Sequence, residues 1–335
     1  MHTSNIPAPA EQADVAFLRI VESPRGTSPT PMRATRFEGI ELDSLRNPWT
    51  VLAPLPATAV GMSIAGAHGV PWSAYAPNLA AIVLGATCFH AARRVESERL
   101  SAWAPGLAAL GILATLVGPS IDGVHRWVSM GAMRLNMSLA LAQLILFGLT
   151  AARHGSNRRA VLAALVAQIA HVVQPDAGQA SALAAGALPV LLDRSCANRT
   201  LGTVLALALG VLAGATWLRD DPLPAVEHVE RILILAYLNG PLWVTAVVLA
   251  GAALLLPLVT SARMSSAAVQ ATLSYIVASF VVAFVGSFPV PVFGAGAGPV
   301  LGWYALLTLA ADGKPNRPSS RDSKWPAEPS PTPSR

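Results

Sequence analysis

The stretch AWAPGLAALGILATLVGPSIDGVHRW, Ala102 to Trp127, joins an apolar run of membrane-crossing length to a closing Gly123-Val124-His125-Arg126-Trp127. A guanidinium is expensive in hydrocarbon and an indole prefers headgroup depth, so this junction reads as a membrane boundary. Outward from it, apolar runs separated by short polar breaks recur near 50–67, 75–92, 102–119, 136–152, 160–173, 177–192, 201–218, 232–257, 267–286 and 299–311. The fold class expected is all-α: a polytopic membrane helix bundle of about ten transmembrane helices, with both termini cytoplasmic.

Composition agrees with that reading. Across 335 residues, 53% are hydrophobic and only 12% charged, with a mean hydropathy of +0.51, more apolar surface than one soluble core hides. Ala, Leu, Val and Gly dominate over aromatics, which suits helices that approach closely in lipid. The apolar runs are continuous rather than alternating, which argues against a β-barrel. Residues 1–48 are polar and Pro-rich, with no basic start leading into an apolar run, so no cleavable signal peptide is expected and the first helix acts as its own signal. Cys88 lies in an apolar run and Cys196 in a short basic loop, a placement that suggests no disulfide framework.

The formal charge of +5 is a topology signal rather than a nucleic-acid signal. With the amino terminus inside, all but four of the 23 Lys and Arg residues fall on the inner side, the exceptions being Arg126, Arg134, Arg219 and Arg231. This is the positive-inside rule, and it leaves nucleic acid without support as a partner; membrane lipid is the expected surrounding. The domain division is a disordered cytoplasmic tail over 1–48, a membrane domain over 49–311 and a second disordered tail over 312–335, the tails being rich in Pro, Ser and charge. The segments 160–173 and 177–192 would span roughly 21–24 Å against a core of about 30 Å. A full hairpin with local thinning and a re-entrant pair are both open.

Three stretches carry a family resemblance. Gly123-Val124-His125-Arg126-Trp127-Val128-Ser129-Met130-Gly131 resembles the Gly-Ala-x-Arg-Trp-Ile-x-Leu-Gly stretch that follows the third helix of the SEDS family, the RodA and FtsW proteins of bacterial wall growth and division. Gln174-Pro175-Asp176-Ala177-Gly178 resembles that family's Gln-Pro-Asp-Leu-Gly, and Phe288-Pro289-Val290-Pro291-Val292-Phe293-Gly294-Ala295-Gly296 its Leu-Pro-Leu-Pro-Phe-Val-Ser-Tyr-Gly-Gly. They occur in family order, so the resemblance covers about residues 50 to 311.

The resemblance implies a multi-pass protein of the bacterial cytoplasmic membrane that polymerises lipid II, the lipid-linked peptidoglycan precursor, commonly beside a class B penicillin-binding protein. Such a substrate requires a cation facing pyrophosphate and a carboxylate able to take a proton from a sugar hydroxyl. Arg126 suits the first role because a guanidinium forks onto phosphate oxygens. Trp127, Gln174 and Asp176 would line the groove. The bland alternative is an Arg126 that snorkels to the interface and a Trp127 that belongs to an aromatic belt. The family's catalytic carboxylate lies in a long outer loop in an Asp-Pro-x-Gly context. In this chain Trp217-Leu218-Arg219-Asp220-Asp221-Pro222-Leu223-Pro224 holds that place, which makes Asp221 the candidate general base. A turn-forming Asp-Pro is the competing account.

The chain departs from the family pattern in three places. Pro224 replaces the glycine, and the loop reaches the next helix within a few residues, its body deleted. Where the family has Gln-Pro-Ser-Glu-Leu-Ala-Lys, this chain has Asn136-Met137-Ser138-Leu139-Ala140-Leu141-Ala142, keeping the serine and losing a charge pair. The hydroxyls of the last motif give way to Gly294-Ala295-Gly296-Ala297-Gly298-Pro299.

The remaining polar residues have structural readings as well. Asp176 with Gln179 makes a capping box at the start of a helix. His171 on an apolar helix reads as an interhelical hydrogen-bonder. Glu227, His228 and Glu230 have the donor types for a divalent cation, yet a solvated loop entering a helix also accounts for them. No nucleotide loop, His-Glu-x-x-His or paired cysteines occur. Three functions follow in order: a wall-precursor polymerase, a non-catalytic scaffold or regulator of a wall synthase, and a flippase of lipid-linked precursors. The flippase is the weakest, because His171 and His90 are nearly alone as ionisable groups within the spans.

Overall fold

The computed structural model describes residues 48–92, 98–131, 133–152, 158–194, 196, 198–260 and 267–312. The expected tails lie almost entirely outside these residues. The described chain is a helical bundle: α1 (Pro48–Leu52), α2 (Pro54–Ala67), α3 (Ala76–Ala92), α4 (Glu98–Ala114), α5 (Met137–Ala152), α6 (Arg158–Val173), α7 (Ala177–Leu191), α8 (Arg199–Trp217), α9 (Glu227–Glu230), α10 (Ile232–Leu238), α11 (Pro241–Val259), α12 (Ala267–Val285) and α13 (Ala297–Asp312). Between α4 and α5, β1 (Trp127–Met130) and β2 (Met133–Asn136) form an antiparallel ribbon in which Trp127 faces Asn136.

The helices are apolar on all sides, as membrane helices are. Large side chains such as Val83, Leu207, Val211, Leu249, Val281 and Phe284 face outward, where a soluble protein would place charge. Five stretches, Pro48–Ala67, Trp72–Ala92, Arg199–Trp217, Pro241–Val259 and Ala267–Val285, are long and apolar enough to cross a membrane. Ala102–Val117, Met137–Thr150 and Ala177–Leu191 are apolar but shorter. The protein is a polytopic helical membrane protein.

Small residues set the packing. Gly302 of α13 lies against the Leu139 carbonyl of α5, and Gly148 of α5 against the Pro105 ring of α4, so a Cβ at either position would collide with its neighbour. This is how helices associate where lipid removes the hydrophobic drive. Of the α6–α7 pair, open as hairpin or re-entrant from sequence, α7 lies antiparallel alongside α8. The start of α7 meets the end of α8 through Trp217 Nε1 donating to Ser181 Oγ at 2.9 Å. The end of α7 meets the start of α8 where Gly202 touches the Leu191 carbonyl.

The segment expected as one helix over 232–257 is instead two, α10 and α11. Gly240 adopts φ 102°, and Pro241, which has no N–H to offer, opens α11. An apolar average runs smoothly across Asn239-Gly240-Pro241, while the backbone there is a stop followed by a start.

The segments expected to be external gather at one end of the bundle. Asn78 of α3, fully buried, donates from Nδ2 to the Gly294 carbonyl at 3.0 Å and accepts from Gly296 N–H through Oδ1 at 2.6 Å. Tyr75 donates its hydroxyl to the Phe293 carbonyl at 3.0 Å. These bonds hold the 287–296 segment although Val292 adopts a left-handed φ of 66°, a conformation that costs a β-branched residue about 1–3 kcal/mol.

Candidate functional site

Arg126 is the centre of this end. It enters from the turn before β1, and its side chain is only 4% exposed. Its Nη2 donates to Asp221 Oδ2 at 2.7 Å and to the Pro175 carbonyl. Its Nε donates to the Gln174 carbonyl at 3.4 Å and lies 3.7 Å from Asp176 Oδ2. Among the described residues Nη1 has no partner. Desolvating a guanidinium is tolerable only with such company, since two carboxylates and two carbonyl dipoles offset the lost hydration. The snorkelling account of Arg126 fails on this burial.

Three of the sequence-selected residues thus meet Arg126, and each is placed by local chain chemistry. Asp221 remains 24% exposed, and its Oδ1 accepts from the Leu223 N–H at 3.2 Å, the turn an Asp-Pro pair favours. Asp176 accepts from the Gln179 N–H at 3.1 Å and caps α7. The box is one-sided: Gln179 turns its Oε1 to the Tyr275 hydroxyl at 2.7 Å instead of reaching back. Gln174 anchors the turn by donating to Thr115 Oγ1 and to the Ile112 carbonyl. Trp127 is half-buried at the start of β1 and takes no part in the ion pair.

The trio Glu227, His228 and Glu230 does not form a metal centre. Among the described residues no group of three or more His, Cys, Asp or Glu side chains could hold a metal ion. Nor is Glu230 the solvated residue expected from sequence. It is half-buried and accepts from the Val226 N–H through Oε2 at 2.9 Å. Burial pushes its carboxyl up to about 7, with Asp221 and Asp176 adding to the rise and the Val226 N–H and Arg126 opposing it. The sequence offered this residue only as a cation ligand or a solvated loop acid, not as a buried one. The one signal was an acid four positions after the loop's last apolar residue, spacing that lets it fold back onto the helix start.

Deeper in the bundle the polar groups are neutral. His171, fully buried, lies 2.9 Å from Ser138 Oγ through Nε2, the interhelical link expected of it. Gln168 donates to the Ala180 and Leu209 carbonyls at 2.9 and 3.0 Å. Leu139 and Gln143 line a cavity of about 30 Å³ with Tyr275, Ser279 and Trp303, and Gln143 Oε1 has no partner there. That volume suits one or two waters and excludes a sugar.

The whole arrangement can be set beside known structures. A structure of the rod shape determining protein RodA of Thermus thermophilus superposes with a TM-score of 0.59 at 18% identity, over 78% of this chain and 96% of that one. An aspartate-to-alanine variant of the same protein gives 0.58 at 18% identity over the same shares. This chain has the RodA fold. A further structure, described as the structural coordination of polymerization and crosslinking by a peptidoglycan synthase complex, gives 0.58 at 19% identity over 79% of this chain and 97% of that one. No protein-family model and no curated protein matches the sequence.

Proposed function

We propose that this protein is a divergent SEDS-type membrane protein that handles a lipid-linked peptidoglycan precursor of the lipid II class, on the outer face of the bacterial cytoplasmic membrane, in cell shape or division. The observation that carries the reading is the 2.7 Å contact between Arg126 and Asp221, two residues far apart in the chain. The RodA fold and the three motif stretches support it. A buried cation beside carboxylates at the mouth of a bundle supplies what glycosyl transfer from a polyprenyl pyrophosphate requires: charge for the leaving group and an acid–base pair for the acceptor hydroxyl. Arg126 holds the pyrophosphate, with Nη1 as its open edge. Asp221, Asp176 and Gln174 shape the site around it, and Trp127 lines the approach at headgroup depth.

A partner of the class B penicillin-binding type fits the reading, since one solved neighbour is a peptidoglycan synthase complex. The test is direct. Purified full-length chain given fluorescent lipid II yields glycan chains, and Asp221→Ala yields none. Equal product from both removes the assignment.

One feature favours a second reading, a non-catalytic scaffold for a wall synthase. Leu139 and Ala142 stand where the family carries its buried charge pair. Robust polymerisation by the isolated chain, with no wall-synthesis protein recovered from cross-linked cells, rejects the scaffold.

A further inference from the structure

We infer that Glu230, not Asp221, takes up the proton at this site, and that Asp221 is a positioning residue that locks the Arg126 guanidinium. The inference rests on the proposed function for its substrate and on geometry for its residue. Both oxygens of Asp221 are committed: Oδ2 to Arg126 Nη2 at 2.7 Å and Oδ1 to the Leu223 N–H at 3.2 Å. With a guanidinium on one oxygen and a backbone donor on the other, Asp221 has no oxygen left without a donor to meet an incoming hydroxyl. Glu230 differs in each respect. Only its Oε2 is engaged, by the Val226 N–H at 2.9 Å, and among the described residues Oε1 has no partner.

Its backbone is fixed rather than free. The neighbouring Val229 carbonyl accepts from the Val290 N–H at 3.0 Å, and the His228 carbonyl from the Ala295 N–H at 3.0 Å and from the Tyr75 hydroxyl at 3.3 Å. Gly294 lies so close to the Val229 carbonyl that a Cβ would strike it. The turn carrying Glu230 is therefore tied to the same segment that α3 holds. The charged groups that act on Glu230 from neighbouring elements are Arg126 before β1, Asp176 at the start of α7 and Asp221 on the preceding loop. On its own element the flanking ionisable groups are Glu227, His228 and Arg231.

The two carboxyls divide the work that paired acids divide elsewhere, one holding the cation and one taking up the proton. In the proposed step the acceptor hydroxyl oxygen forms its bond to the anomeric carbon as the bond from that carbon to the pyrophosphate oxygen breaks. The hydroxyl proton passes to the Glu230 carboxylate, and the pyrophosphate leaves as the anion held by Arg126.

The experiment combines turnover with a direct titration on the full-length chain in detergent. With fluorescent lipid II, the wild-type rate rises through an acid limb centred near pH 7. Glu230→Gln, which retains an acceptor for the Val226 N–H, loses that limb and about 100-fold or more in kcat with little change in KM. Glu230→Asp recovers part of the rate, and Glu227→Gln, one turn earlier and exposed, behaves as wild type. Difference infrared spectra of the carboxyl stretch follow protonation without substrate: a band titrating near pH 7 in wild type and absent in Glu230→Gln supports the inference. A wild-type rate and acid limb in Glu230→Gln, or a Glu230 band that titrates below about pH 5, overturns it. A chain that shows the band but never consumes lipid II sinks the proposed function instead, and with it the transfer step.

Discussion

The Arg126 site and the helix layer next to it solve the same problem in opposite ways. At the site, a buried guanidinium is held by Asp221 at 2.7 Å and Asp176 at 3.7 Å, so its central contacts are ionic. Next to it, His171, Ser138 and Gln168 link α5, α6, α7 and α8 through neutral hydrogen bonds. Ion pairs in low dielectric barely repay their desolvation, whereas neutral pairs stabilise modestly and are cheaper to lose. The ion pairs gather around Arg126, while the adjoining layer is held by neutral groups.

Substitutions that break this contrast should rank by the charge they strand. Arg126→Ala leaves Asp176 and Asp221 facing each other without a counter-ion and should destabilise the bundle by about 3–5 kcal/mol in thermal unfolding in micelles. Asn78→Ala frees the Gly294 carbonyl and the Gly296 N–H and should cost about 2–3 kcal/mol by the same assay. Ser138→Ala, at the neutral level, should cost about 1 kcal/mol, since His171 keeps its contact with Gln168. A loss at Ser138 equal to that at Arg126 would erase the distinction between the two levels.

The smallest effect depends on pH. The Glu230 carboxyl is pushed up to about 7 in the folded chain from an ordinary value near 4.5. Between these values the folded state binds more protons than the unfolded one, so Glu230 lowers stability as pH rises through this window. Glu230→Gln should melt with wild type at pH 4 and slightly above it at pH 8. A variant that melts below wild type at pH 8 would mean that the ionised group is stabilising.

The bundle was legible because apolar runs with few charges inside them recur along the chain, which membrane helices need and a soluble core does not. The break at Asn239-Gly240-Pro241 was not, because hydropathy averages over a backbone event made by two residues. At the site, Arg126 was legible as a cation at a membrane boundary, whereas Gln174, Asp176 and Asp221 were legible only through the family resemblance of the stretches that carry them. Glu230 was hidden among soluble-looking neighbours, since burial of a loop acid is decided by what packs over it. Asn78 was hidden too: a lone amide in an apolar helix has no sequence mark that distinguishes a strut from a filler.

The central claim is that Arg126 and Asp221 act as one unit on a lipid-linked pyrophosphate. A double-mutant cycle on lipid II turnover with Arg126→Ala, Asp221→Ala and the combined variant tests it. Residues that work together give losses that do not add: each single variant should fall about 100-fold or more, and the double should lie within about 3-fold of the slower single. Losses that multiply, or a single variant that retains the wild-type rate, would contradict the account.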